Sequence, residues 1–215
     1  MEKFVLIPIL LFSFLLKAQE NHQPLIPQPP IPVEVMVGGK STMYQMIVNK
    51  RFAPESRLKF FNLINYEVDY DGQTPDNYII QTVGYFEFAK GFDVGAGGNL
   101  KAFGGFKPVV SIEYTHFSKD FGVVVQPVYE VHKDGEFSTM ALFEWHPVNG
   151  RKIQPFFSVQ ALTAWANAHS FSYHNWRAGL QYKIFRLGPA VNFQYLGENG
   201  ESSVNWGGFI GVVIK

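Results

Sequence analysis

From about residue 33 to the last residue the chain alternates with a period of two, and helical periodicity is hard to find anywhere in that stretch. In 57–70 the even positions are Leu58, Phe60, Asn62, Ile64, Tyr66, Val68 and Tyr70. The odd positions are Arg57, Lys59, Phe61, Leu63, Asn65, Glu67 and Asp69. Successive strand side chains point to opposite faces, so one face is apolar and aromatic while the other carries most of the charge. The pattern recurs in 92–102, where Phe92, Val94, Ala96 and Leu100 oppose Asp93, Gly95, Asn99 and Lys101, and again in 175–184, 187–195 and 204–214. A chain patterned this way is all-β.

Such segments predict strands near 42–52, 57–70, 77–89, 92–103, 107–118, 121–132, 136–146, 152–166, 171–185, 187–197 and 203–215. A shorter one at 33–37, paired through Gly38-Gly39-Lys40-Ser41, makes about twelve. The short connections suit an antiparallel up-and-down meander, with no linker between 33 and 215. Composition agrees: 21 Phe, 10 Tyr, 4 Trp and 20 Gly, with only 17% charged residues, fit neither a disordered chain nor a helical bundle.

The amino terminus reads differently. Lys3 precedes an apolar run from Phe4 to Leu16 that ends at Lys17-Ala18-Gln19. That run is too short for the ~20 residues of a spanning helix. A charged start, a short apolar middle and a small residue at Ala18 predict a cleaved signal peptide over 1–18. Residues 19–32 hold the proline-rich run Q-P-L-I-P-Q-P-P-I-P, expected to be an extended periplasmic tether.

Alternation alone does not say whether the apolar face meets lipid or a core. A soluble sandwich or lipocalin-like barrel would turn it inward. Export, an apolar stripe in every strand, and aromatics near strand ends (Tyr66, Phe92, Trp145, Trp165 and Trp206 among them) favour a transmembrane β-barrel. Closure into a barrel is then required, because lipid leaves no other partner for an edge. With the carboxy terminus on the periplasmic side, the inner turns fall at 52–55, 89–91, 118–120, 146–151 and 185–186. Inner and outer connections are both short, so loop length does not set orientation.

Signal, alternation and aromatic strands together resemble the small outer-membrane β-barrel proteins of Gram-negative bacteria, over roughly residues 33–215. Within that class, twelve strands with short loops, and segments such as R-L-K-F-F-N-L-I-N-Y-E-V-D-Y and F-S-T-M-A-L-F-E-W-H-P-V-N-G, are similar to the nucleoside-specific channel family. The resemblance implies a cell outer membrane location, outer-membrane lipid and the barrel-assembly machinery as partners, a monomer, and a porin-like channel for transport of nucleoside-like solutes. The chain ends Val213-Ile214-Lys215, without the aromatic assembly signal common in such barrels.

If the apolar face meets lipid, the lumen is lined by Lys59, Glu67, Glu87, Asp93, Lys101, Glu113, Gln126, Glu130, Glu144, Arg177, Gln181 and Lys183. A single-sign ring would indicate ion selectivity. This mixture suits either a path for small polar solutes or a ladder of internal pairs that fills the barrel as a structural or interaction module. A third reading is a lipid hydrolase. His116 and Ser118 sit two apart on one strand face, as in outer-membrane lipid hydrolases, but Lys119-Asp120-Phe121 follow where those families have asparagine. The expectation is therefore a non-enzyme without catalytic residues. No metal or other cofactor is expected either: cysteine is absent, His132 and His146 fall at opposite ends of a hairpin, and His169 and His174, assigned to an outer loop, have no carboxylate placed beside them. Eighteen basic and eighteen acidic residues give no reason to expect a nucleic-acid partner.

Overall fold

The computed structural model describes residues 28–72, 76–148, 150–197 and 201–215. The expected signal peptide and most of the expected tether lie outside the described residues. Twelve strands run β1 (Ile31–Gly38), β2 (Ser41–Arg51), β3 (Leu58–Asp69), β4 (Asn77–Ala89), β5 (Phe92–Lys101) and β6 (Gly105–Phe117). They continue with β7 (Phe121–Glu130), β8 (Phe137–Trp145), β9 (Ile153–Trp165), β10 (His169–Tyr182), β11 (Phe185–Leu196) and β12 (Glu201–Ile214). Each pairs antiparallel with its sequence neighbours, and β1 pairs with β12 to close the barrel. The expected architecture is thus the observed one, including the short strand near 33–37. That strand begins two residues earlier than its periodicity suggests, with Ile31 opposite Ile214 and Pro32 opposite Val213. Pro32 is tolerated there because the first positions of a strand can forgo a ladder donor.

Both termini and the β2–β3, β4–β5, β6–β7, β8–β9 and β10–β11 connections share one end, called here the terminal end; the other connections form the loop end. Several turns are tight. Lys183 and Ile184 alone join β10 to β11, and Lys183 adopts the left-handed backbone (φ 53°) that the reversal demands. In the Lys90-Gly91 turn Gly91 has φ 78°, and a Cβ there would lie 2.6 Å from the carbonyl oxygen of Thr115.

Two prolines fall mid-strand, and each leaves a gap in the ladder on one side. Pairing between β6 and β7 lapses at Ile112–Glu113 opposite Gln126–Pro127, then resumes in the same register. Pairing between β10 and β11 lapses at Ala178–Gly179 opposite Gly188–Pro189. A proline has no amide hydrogen to give its neighbour. At the first gap the Ser111 hydroxyl donates to the Pro127 carbonyl at 2.8 Å.

The faces are inverted relative to a water-soluble barrel. Trp206 and Phe106 on the outside are 68% exposed, whereas Asp93 and Glu113 on the inside are fully buried. Large aromatics circle both rims: Phe88, Phe92, Phe121, Trp145 and Tyr182 at the terminal end, Tyr66, Phe106, Tyr129, Phe137 and Trp165 at the loop end. Val94, Val110, Ile112, Leu187 and Ile210 are exposed between them. Glycine makes room inside: a Cβ on Gly95 would stand 2.5 Å from the Tyr85 ring and 2.5 Å from the Gly84 carbonyl oxygen.

Candidate functional site: the barrel lumen

Strand alternation delivers every second side chain into the lumen, and the charged and polar ones among them meet in layers. Near the terminal end Lys59 contacts the Asp93 carboxylate, lies 3.3 Å from Glu113, and donates to Thr115. Glu113 also accepts two bonds from the Asn49 amide, at 3.0 and 3.1 Å, and Arg51 pairs with Glu87 at 2.5 Å. Near the loop end Lys101 bridges Glu130 (2.6 Å) and Glu136 (2.5 Å), with Lys107 on the other oxygen of Glu130. On the opposite wall Arg177 pairs with Glu34, and Arg186 pairs with Glu144 while stacking 3.9 Å above the Phe156 ring. Glu67 accepts from Ser41 and Gln194. Carboxylates and cations are interleaved, as burial of charge requires.

Of the residues expected to line the lumen, Lys59, Glu67, Glu87, Asp93, Glu113, Gln126, Glu130 and Arg177 are buried inside the barrel. Lys101, Glu144 and Gln181 are partly buried nearer its ends. Lys183 does not join them. It is an exposed turn residue whose ammonium lies 5.4 Å from the Tyr182 ring centre, because the β10–β11 reversal comes before its parity would point it inward.

Sequence reasoning missed the apolar part of the interior. Phe61, Leu63, Val83, Tyr85, Val109 and Val128 are buried within the lumen together with Ile47, Val124 and Met140. A second cluster, Met36, Met43, Phe156, Ala190 and Phe209, occupies the other side. Between the two, the Gln45 amide donates to the Gln160 carbonyl oxygen at 2.6 Å. Gln45 is on β2 and Gln160 on β9, separated by four strands one way round and six the other. Two glutamines meet across twelve strands only where the walls approach each other, so the section is pinched into two lobes.

Two cavities flank this packing. One of about 270 Å³ opens toward the loop end and is bounded by Leu63, Gln81, Asn99, Gln126, Met140 and Leu162, among others. A smaller one of about 40 Å³ lies at the terminal end, between Pro29, Pro30 and Pro32 and the side chains of Ile47, Phe61, Leu142 and His146. Met140 borders both. The last residues of the expected tether therefore belong to the barrel mouth, and the Gln28 side chain holds them by pairing with both the amide and the carbonyl of Arg51. His146, outside the strands, is partly buried, which pushes its imidazole below the ordinary histidine range; Arg186 acts in the same direction, while Glu144 and Asp120 oppose it.

The serine and histidine singled out as a candidate pair are spent elsewhere. The Ser118 hydroxyl accepts from the amides of Asp120 and Phe121 and donates to the Phe121 carbonyl, capping the β6–β7 turn. His116 lies on the outer face, 5.4 Å from the Phe121 ring centre. His174 sits within β10, edge-on to Tyr195, and not in a loop as its position suggested, because β10 begins at His169. His169 bonds Gly197 and Ser172. Among the described residues no three metal-ligating side chains converge.

No family model matches the sequence, and no curated protein does. Among solved structures the chain is similar to a NanC porin (12% identity, 87% of this chain and 99% of that one, TM-score 0.49). It is similar also to a KdgM porin (11%, 84% and 97%, TM-score 0.46) and to LpxR from Salmonella typhimurium (7%, 85% and 99%, TM-score 0.44).

Proposed function

We propose that the chain is an outer-membrane barrel that serves as a narrow passage for small solutes and is shut at rest by its own side chains. The inverted faces support the membrane location. From Phe121 to Tyr129 the exposed rim residues of β7 are eight steps apart. At ~3.3 Å per step and a tilt of about 40°, that is about 20 Å along the axis, near the height of the apolar band of an outer-membrane barrel. In this reading residues 1–18 export the chain, the assembly machinery inserts it, and lipid covers the aliphatic belt between the two aromatic rims.

The observation that carries the passage is the manner of closure. No inserted helix or strand stands in the lumen among the described residues. Single side chains close it, with a cavity on either side of Met140 and the Gln45–Gln160 bond across the pinch. Rotation about side-chain bonds is fast compared with movement of a wall, so such a barrier admits small molecules at a low rate. Liposomes holding the folded barrel are expected to swell slowly with small solutes, and faster when Gln45 and Gln160 are both replaced by alanine. Absence of swelling in both proteins, each shown to be folded, would overturn the passage.

A filled, structural barrel is the second reading, favoured by the complete burial of Asp93 and Glu113 around Lys59. It shares the membrane location and forecasts no swelling in either protein.

A further inference from the structure

The 270 Å³ cavity at the loop end has a mostly apolar lining interrupted by polar groups. Leu63, Val128, Met140 and Leu162 give it apolar sides. Gln126, fully buried, and Asn99, 4% exposed, also line it. Each amide nitrogen is used: Gln126 donates to the Tyr85 hydroxyl at 2.8 Å, and Asn99 donates to Glu130 at 3.3 Å. Each amide oxygen is left without a hydrogen-bond partner among the described residues. The Gln126 orientation is fixed by its surroundings, because the Tyr85 hydroxyl spends its own hydrogen on Ser111 and needs a donor in return. Buried acceptors are rarely left unsatisfied, and an apolar cavity with a few convergent polar groups is the usual form of a small-molecule site.

We infer that this cavity binds a compact, uncharged solute with an apolar body and an N–H or O–H donor directed at Gln126 and Asn99. The charges in its lining, Lys101 and Glu136, do not call for an ionic ligand: Lys101 already bridges Glu130 and Glu136. This departs from the polar solute expected from the lumen-lining charges, since apolar walls desolvate a sugar without repaying it. The inference rests on the barrel reading above, with the cavity as the solute's entrance, but it does not require that the solute cross.

The test uses the folded protein in detergent micelles, with indole as probe and the Met140 methyl signal as reporter. Benzofuran, which has the same shape and no donor, is the comparison. Saturable perturbation of Met140 by indole is expected, with benzofuran at least tenfold weaker. Leu162→Trp, which fills the cavity from inside and leaves the outer face unchanged, should abolish the saturable part and leave partition into the micelle. Should that variant fail to fold, the indole–benzofuran ratio on the unaltered protein still decides. Equal affinity for the two probes, or no saturable change at Met140, overturns the inference. Binding without permeation in liposomes upholds the site and removes the passage; permeation of indole without saturable binding removes the site alone.

Discussion

Lys59 is the group whose loss the barrel should feel most. Its side chain is 5% exposed, and it is the cation between Asp93 and Glu113, both fully buried. Lys59→Met keeps most of the volume and removes the charge, leaving two carboxylates in the lumen with only the Asn49 amide, and Arg51 beyond Glu87, nearby. Breaking a buried ion pair from one side costs about 3–5 kcal/mol, because the remaining charge stays desolvated. Two stranded carboxylates place the expected loss at the upper end of that range. Lys183→Met, at an exposed turn, should stay within about 0.5 kcal/mol of the unaltered protein. Urea unfolding in lipid vesicles, followed by tryptophan fluorescence and by the mobility of the folded form in gels, gives both numbers. Adding Glu113→Gln to Lys59→Met should recover part of the loss, since one of the two stranded charges is gone. A Lys59→Met barrel within about 1 kcal/mol of wild type would refute the reasoning, because Lys59 would then not be offsetting buried charge.

Gly95→Val should prevent closure around Tyr85 or cost about 1–3 kcal/mol, as overpacking does, visible as a smaller folded fraction on refolding; wild-type yield would mean the ring is free to move. Ser118→Ala should cost about 1 kcal/mol through the β6–β7 turn and change no lipid-hydrolysis rate above background; an esterase activity abolished by this change would revive the catalytic reading. His146 is held below the ordinary histidine range by burial, so the unfolded chain takes up its proton first, near pH ~6.5. Stability should therefore be at its plateau above that pH and fall as the pH is lowered through it, with His146→Phe removing that part of the decline between pH 7.5 and 5.5 in urea midpoints.

Strand number, order and closure were legible because alternation is a local property and most turns announce themselves with glycine or polar residues. The lumen was less so. Parity assigned Lys59, Asp93 and Glu113 to one face, and they do lie inside, but parity treats a strand as having one apolar side. In mid-strand both sides are apolar: Phe60-Phe61, Leu63-Ile64 and Val123-Val124-Val125 are consecutive runs, the mark of a segment buried on one face and covered by apolar surroundings on the other. Those runs were the available signal for the inner cluster. The Gln45–Gln160 bond had none, since residues 115 apart in sequence meet only through the curvature of the whole wall. Lys183 was misplaced for the opposite reason, a turn two residues earlier than the pattern implied.

The two proline gaps have a mechanical consequence. They fall between β6 and β7 and between β10 and β11, so the wall consists of a four-stranded panel, β7 to β10, hinged to an eight-stranded trough along two thinned seams. Where a ladder is interrupted the wall bends locally with fewer bonds to disturb. Gln160, Met140 and Leu162 all ride on that panel, while Gln45 rides on the trough. Bending at the seams shifts Gln160 relative to Gln45, so compliance located in the wall is felt at the pinch between them.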